Sequence, residues 1–185
     1  MQAFAELLDR LSYEPRRNGK LALMEAYFRE TPDPERGYAL AALTDALSFQ
    51  NAKPGLIRAL IAERTDPVRS ALSRDYVGDL SETVALMWPV RPRPEPTNLM
   101  GHNRPPQSPL LPEVVGALQT TGKSGLAGQL ADWRDHLDEV GRWALLKLIT
   151  GALRVGVSAR LAKTAVARLG NVPADAVEEV WHGLS

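Results

Sequence analysis

The stretch that decides the fold is GRWALLKLITGALRVGVSARLAKTAVARLGN, residues 141–171. Leucines and isoleucines recur at helical spacing on both sides of its centre, TGALRVGVS (150–158). The pattern predicts two helices joined by a glycine-flanked turn, the first ending at Gly151 and the second capped by Ser158. The stretch has no aspartate or glutamate but contains six basic residues: Arg142, Lys147, Arg154, Arg160, Lys163 and Arg168. Since the whole chain has a formal net charge of zero, positive charge is concentrated here.

Helical periodicity extends over most of the remaining sequence. Apolar residues fall at i, i+3, i+4 and i+7 in the first predicted helix, and similar sets follow: Phe4, Leu7, Leu8 and Leu11; Leu21, Met24 and Phe28; Leu40, Leu43 and Leu47; Leu126, Leu130, Trp133 and Leu137. Asp33 is predicted to be an N-cap before Pro34, and Gly170 the C′ residue of the helix that Ser158 begins. No segment alternates with period two, so we predict an all-α fold. About ten short helices would form a compact, irregular array of hairpins.

A proline-rich stretch divides the chain. Eight of the fourteen prolines lie between residues 89 and 112. Because proline lacks an N–H donor and clashes inside a helix, we predict a long extended connection there. The 185 residues would then form one domain, with a first helical half (1–88), the connection (89–112) and a second helical half (113–185).

Composition excludes several classes of protein and site. The chain has no cysteine, and we find no secretory signal and no run of about 18 apolar residues, so we expect a cytoplasmic protein without a disulfide or cysteine–zinc site. The three histidines are far apart and lack metal-ligand spacing. The sequence Gly122-Lys123-Ser124 lacks the first glycine of a P-loop and follows a predicted helix, so Ser124 is predicted to be a helix cap. We therefore predict no catalytic, cofactor or metal site in this segment.

The turn at 150–158 has the chemistry of a phosphate-binding site. A helix N-terminus presents unpaired N–H groups to an anion, here beside Gly156 and the Ser158 hydroxyl. Arg154 lies in the turn, and Arg160 and Lys163 lie three residues apart on one face of the following helix. Such groups would contact phosphates and read no bases. The alternative is an ordinary solvated basic helix face.

A second turn has a similar sequence. Gly78 and Asp79 follow Val77 between two predicted helices, as Gly156 follows Val155 before another helix start. This similarity predicts two related hairpins whose turns could contact the two strands beside one minor groove. The alternative is an ordinary glycine turn with Asp79 as an N-cap.

Two segments resemble the signature regions of a known family. DYVGDLSETVA (75–85) and LLKLITGALRVGVS (145–158) are similar to the two signature regions of the N-terminal DNA-binding domain of ATP-dependent DNA ligases. The segments NGKLAL (18–23) and PDPERGYAL (32–40), and the ending WHGL (181–184), resemble a bacterial branch of these enzymes. The resemblance therefore extends over nearly the whole chain, and the ending resembles the point where that branch continues into its catalytic core.

The resemblance implies a fold and a role. In the family, an all-α domain with pseudo-two-fold hairpins lies on the minor groove of nicked DNA and contacts phosphates through glycine turns and an arginine. The positions that match are Gly78, Asp79, Gly151, Arg154, Gly156 and Ser158. Ala152 stands where some relatives have a basic residue, so that contact would be missing.

The resemblance places catalysis outside this segment. No lysine here belongs to the Lys-x-Asp-Gly motif that accepts AMP, so the segment should be catalytically inactive. A full-length enzyme would use ATP and Mg²⁺, and the segment's partners would be nicked duplex DNA and the enzyme's own adenylation and OB domains. We expect a monomer, associated with the nucleoid, that serves repair, recombination or replication.

A different class of function also fits the pattern. An irregular helical array with neutral net charge could be a protein-interaction module, with the Trp181 end or a groove between hairpins as its surface. Charge geometry separates the two hypotheses. If Arg154, Arg160, Lys163 and the turn at 78–79 do not share one exposed face, the DNA hypothesis loses its main physical support.

Overall fold

A computed structural model describes residues 1–52, Gly55, 108–151 and 153–182. Within these residues the secondary structure is entirely helical, which confirms the all-α prediction for this part of the chain. Its helices are α1 (Gln2–Tyr13), α2 (Arg17–Glu30), α3 (Glu35–Leu43), α4 (Leu111–Thr120), α5 (Lys123–His136), α6 (Glu139–Thr150), α7 (Ala159–Leu169) and α8 (Ala174–His182). None of these helices has the length and hydropathy needed to cross a membrane. The predicted total of about ten helices and most of the proline-rich connection lie outside the described residues.

The described helices share one hydrophobic core. The predicted stripe of α1 is buried, with Phe4, Leu8 and Leu11 completely inaccessible to solvent. Helix α1 packs against α2 and α6, while α7 packs against α2, α3 and α8. Side chains from α1 through α7 contribute to this core, and burial of such apolar area is the main favourable term in folding. Since α2 and α7 are in direct contact, residues at the start of α2 lie close to the turn that precedes α7.

Three predicted helix starts differ from the structure. Helix α3 begins one residue later than predicted, and Asp33 is not its cap: its carboxylate instead accepts hydrogen bonds from the Arg36 guanidinium, at 2.5 and 3.3 Å. That interaction lowers the pKa of the Asp33 carboxyl. Ser124 is not a cap either, since it lies inside the first turn of α5 and Gly122 precedes the helix. Helix α4 begins at Leu111, so Pro112 lies in its first turn. The N–H groups of a first turn have no acceptor inside the helix, so a proline there costs no hydrogen bond.

The end of α7 also differs from the prediction. Gly170 has a right-handed conformation (φ −83°), and the left-handed residue is its neighbour Asn171 (φ +50°). The N–H of Val172 donates to the Ala167 carbonyl at 2.9 Å, and that of Asn171 donates to the Arg168 carbonyl at 3.2 Å. These two bonds define a Schellman motif with asparagine at C′. Glycine was the expected residue at C′ because it adopts φ > 0 without strain, but asparagine also tolerates this region.

This geometry predicts opposite effects for two neighbouring alanine substitutions. Gly170→Ala should stabilise the protein by up to about 1 kcal/mol, because a Cβ there would meet other atoms no closer than 3.7 Å and the unfolded chain would lose freedom. Asn171→Ala should destabilise it by about 1 kcal/mol, because alanine is strained at positive φ. Urea denaturation of the two variants beside the wild type measures both effects. The reverse order would place the left-handed residue at Gly170.

Candidate nucleic-acid interface

The turn from Gly151 to Ser158 has the predicted ends. Helix α6 ends at Thr150, and Gly151 follows it in the left-handed conformation (φ +69°). Helix α7 begins after Ser158, whose side-chain oxygen accepts a hydrogen bond from the Leu161 N–H at 3.2 Å. Both predicted boundaries are therefore confirmed. Ala152 lies outside the described residues.

Arg154 occupies an unusual backbone position in this turn. It is exposed, whereas Leu153 and Val155 on either side are buried. Its φ is +49°, in the left-handed region that L-residues with a side chain adopt at a cost of about 1–2 kcal/mol. Strained residues of this kind concentrate at functional sites. The burial of Leu153 and Val155 holds this part of the turn against the core, and Arg154 between them is exposed to solvent.

Three backbone N–H groups just after Arg154 have no acceptor among the described residues. Gly156 is exposed with φ +65°, and within the described residues the N–H groups of Gly156, Val157 and Ser158 donate no hydrogen bond. The first N–H groups of α7 add to them, because the first turn of a helix has no internal acceptors. The Ser158 hydroxyl oxygen is already an acceptor in the cap, so its proton remains available to a ligand. The arrangement offers several donors and a positive helix end to an anion.

Helix α2 contacts the turn on its buried side. Lys20 is buried at 8% exposure and its ammonium donates a hydrogen bond to the Val155 carbonyl. No sequence signal connects residues 20 and 155, which are 135 positions apart. The one available sign is that Lys20 lies on the apolar stripe of α2, one position before Leu21 and one turn before Met24. A lysine on such a stripe must find an internal acceptor or reach solvent.

Further basic residues lie at the start of α2, next to Lys20. Arg16, Arg17, Asn18 and Gly19 line an open surface cavity. The Glu14 carboxylate accepts hydrogen bonds from the Arg16 backbone N–H at 2.9 Å and from its guanidinium at 3.1 Å, and these lower the pKa of the Glu14 carboxyl. The carboxylate therefore stays ionised and neutralises part of this positive charge.

The six basic residues of the stretch at 141–171 divide into two groups. Four are committed to contacts within the protein. Arg142 is buried and donates to the Leu137 carbonyl; Lys147 is buried beside the Trp143 ring; Lys163 pairs with Glu178; and Arg168 pairs with Glu25 at 3.3 Å. Arg154 and Arg160 are exposed and form no ion pair with any residue that the structure describes. Arg168 is exposed too, but Arg154 and Arg160 are the exposed cations of the stretch without an acidic partner among the described residues.

The prediction that Lys163 shares an exposed face with Arg160 is wrong. Lys163 is buried at 9% exposure, its ammonium lies 2.6 Å from a Glu178 carboxylate oxygen, and the Trp181 ring centroid is 4.8 Å away. The i, i+3 spacing places both residues near the same side of α7, but α8 packs over the part that carries Lys163. Spacing alone could not show this, because it does not reveal which helix covers which turn.

The other predicted positions cannot be placed. Gly78 and Asp79, the second predicted turn, lie outside the described residues.

Among the residues that are described, no group of three or more histidine, aspartate or glutamate side chains could hold a metal ion.

Comparison with known proteins adds no assignment. No protein-family model matches this chain, and no curated protein sequence matches it significantly. The ligase resemblance therefore stays a prediction based on the motifs at 75–85 and 145–158.

The strain at Arg154 gives a test that is independent of any ligand. Arg154→Gly should stabilise the protein by up to about 1 kcal/mol, because glycine adopts φ > 0 without a steric penalty. Arg154→Ala is the matched control: it also removes the guanidinium but keeps the Cβ, so its stability should stay near that of the wild type. Urea unfolding measures the difference. Equal stability of the two variants would contradict a strained residue at this position.

Proposed function

We propose that this helical domain binds duplex DNA without sequence preference, through the phosphate backbone beside the minor groove. The turn at 151–158 and the start of α7 would form the contact surface. Arg154 and Arg160 would supply the positive charge. Gly156, Ser158 and the first N–H groups of α7 would donate hydrogen bonds to phosphate oxygens. Gly151 would shape the turn without a hydrogen bond to phosphate, because its N–H donates to the Leu148 carbonyl.

The observation that carries the proposal is the conformation of Arg154. An exposed arginine is held at positive φ between two buried neighbours, directly before a run of N–H groups with no acceptor in the described part of the chain. A strained, exposed cation next to free donors is suited to a polyanion, since guanidinium and N–H groups both match phosphate oxygens. Among the described residues, Arg154 has no acidic partner that would explain an arginine at this position.

The kind of contact agrees with binding that is independent of sequence. Phosphate contacts come from arginines, backbone N–H groups, hydroxyls and helix N-termini, and these fix position without reading bases. The turn offers one of each: Arg154, the Gly156 N–H, the Ser158 hydroxyl and the start of α7. Sequence readout would require side chains that enter a groove and meet base edges, and a short turn is poorly suited to that role.

The biological role follows from the family resemblance. We propose that the domain holds nicked DNA for the catalytic core of an ATP-dependent DNA ligase, which would supply adenylation with ATP and Mg²⁺ and an OB domain. The turn at Gly78–Asp79 would contribute the second set of phosphate contacts. The segment itself would bind DNA and catalyse nothing. The cellular setting would be repair, recombination or replication at the nucleoid.

A protein-interaction module is the second candidate. The observation that favours it lies on α8, where Val180 is 65% exposed and Trp181 is partly exposed beside the pair of Lys163 and Glu178. Exposed apolar side chains in isolation are common on protein surfaces. The exposed face expected for DNA binding lacks Lys163 and keeps only Arg154 and Arg160, so the observation that favours the DNA proposal is the set of free donors at the turn.

Salt dependence of binding tests the proposed contact surface. Fluorescence anisotropy of a labelled nicked duplex measures the association constant K at several salt concentrations. A plot of log K against log salt concentration should fall with a slope of about −0.9 for each phosphate contact. Arg154→Ala and Arg160→Ala should each reduce the steepness of that slope by about 0.9.

The matched control is Lys163→Met. It removes a lysine from the same stretch, but that lysine is paired with Glu178, so the slope should not change. Slopes that stay at the wild-type value in both arginine variants would exclude the turn as the interface. Absence of binding by the wild type would reject the function.

A further inference from the structure

We propose that Lys20 is a positioning residue of this site: it holds the peptide between Val155 and Gly156 so that the Gly156 N–H points toward a bound phosphate. The inference rests on the proposed function in one respect, namely that the ligand is a phosphate. The orientation of the peptide is a property of the free protein and can be tested without DNA.

The contact that carries the inference lies inside the protein. Lys20 belongs to the core-facing side of α2, between the helix start and Leu21, and only 8% of its surface is exposed. Its ammonium donates to the Val155 carbonyl, and this is a hydrogen bond of a charged donor in a site shielded from water. Bonds of this kind are stronger than a neutral hydrogen bond. Lys20 therefore fixes the direction of that carbonyl strongly.

The direction of the carbonyl also determines the direction of the next N–H. A peptide unit is planar, and in the trans form its C=O and N–H point in opposite directions. Among the described residues, the only cis peptide is the one between Asp33 and Pro34, so the peptide between Val155 and Gly156 is trans. Since its carbonyl points inward to Lys20, the Gly156 N–H points away from α2 and toward the exposed side of the turn.

Gly156 leaves the room that the same contact occupies. A Cβ at this position would lie 2.5 Å from the Lys20 ammonium nitrogen, closer than real atoms approach. Its φ of +65° is a second reason for glycine. Any larger residue would push the ammonium from its acceptor, so Gly156 and Lys20 depend on each other.

The alternative orientation would oppose anion binding. Without the ammonium, the Val155 carbonyl would be a buried acceptor with no other donor among the described residues, which costs free energy. Rotation of the peptide by about half a turn would bring the carbonyl to solvent and take the N–H inward. A phosphate at the turn would then meet a carbonyl oxygen in place of a donor, and the two would repel each other. Lys20 thus contributes to binding from a position behind the surface.

The experiment uses Lys20→Met, which keeps most of the apolar stem and removes the donor. In the free protein, the Gly156 cross-peak in the ¹H–¹⁵N spectrum should shift strongly. Affinity for the nicked duplex should fall about tenfold, the value of one charge-assisted hydrogen bond. The slope of log K against log salt should keep its wild-type value, because Lys20 itself touches no phosphate.

Two further variants make the result decisive. Gly156→Ala displaces the ammonium from the other side and should give the same loss of affinity at the same slope, and it decides the question if Lys20→Met does not fold. Lys163→Met removes another buried lysine, whose partner is Glu178 in α8 and not a residue of the turn. It should change neither the Gly156 cross-peak nor the affinity.

Specific results would overturn the inference. A Gly156 cross-peak that is unchanged in Lys20→Met would show that Lys20 does not orient the peptide. A slope that becomes less steep by about 0.9 would make Lys20 a direct phosphate contact. If the wild type does not bind DNA, the proposed function fails, and the Gly156 cross-peak still decides whether Lys20 orients the peptide.

Discussion

The hydrogen bond from Lys20 to the Val155 carbonyl joins two parts of the chain that are 135 residues apart and fixes the turn between α6 and α7. Helix α2 packs directly on α7, so the lysine stem lies in the core and its charged end reaches the Val155 carbonyl. Gly156 leaves the space, and its left-handed conformation lets the chain reverse. The exposed Arg154 and the Gly156 N–H lie directly on either side of this contact in the chain.

The distribution of charge gives the site its character. A chain with no net charge concentrates cations in one acid-free stretch, but the fold then uses most of them internally. Lys163 is neutralised by Glu178, Arg168 by Glu25, and Arg142 serves as a buried donor to a carbonyl. What remains is a small positive surface at Arg154 and Arg160. A surface with few cations and many oriented N–H groups depends on geometry more than on total charge, which is why a buried positioning residue can matter to it.

The sequence predicted those features that depend on local periodicity. Phe4, Leu8 and Leu11 were expected in the core because of their spacing, and Gly151 and Ser158 as helix ends because of their backbone and hydrogen-bonding preferences; the structure confirms all of them. Predictions that assigned a helix end to one of two adjacent residues were wrong. Asp33 binds Arg36 in preference to the helix start, and Asn171 adopts the left-handed conformation next to a glycine that does not. Contacts between distant residues were beyond reach: neither the burial of Lys163 under α8 nor the contact of Lys20 with Val155 has a signature in local sequence.

The central claim is that phosphate binds at the turn before α7, and a titration of the ¹⁵N-labelled protein with an unlabelled nicked duplex tests it most directly. The backbone cross-peaks of Arg154, Gly156, Val157 and Ser158, with those of the first turn of α7, should shift as DNA is added. The cross-peaks of Glu178 and Trp181 in α8 should move little. Shifts that cluster on α8 and leave the turn unchanged would contradict the claim and favour a protein-interaction surface.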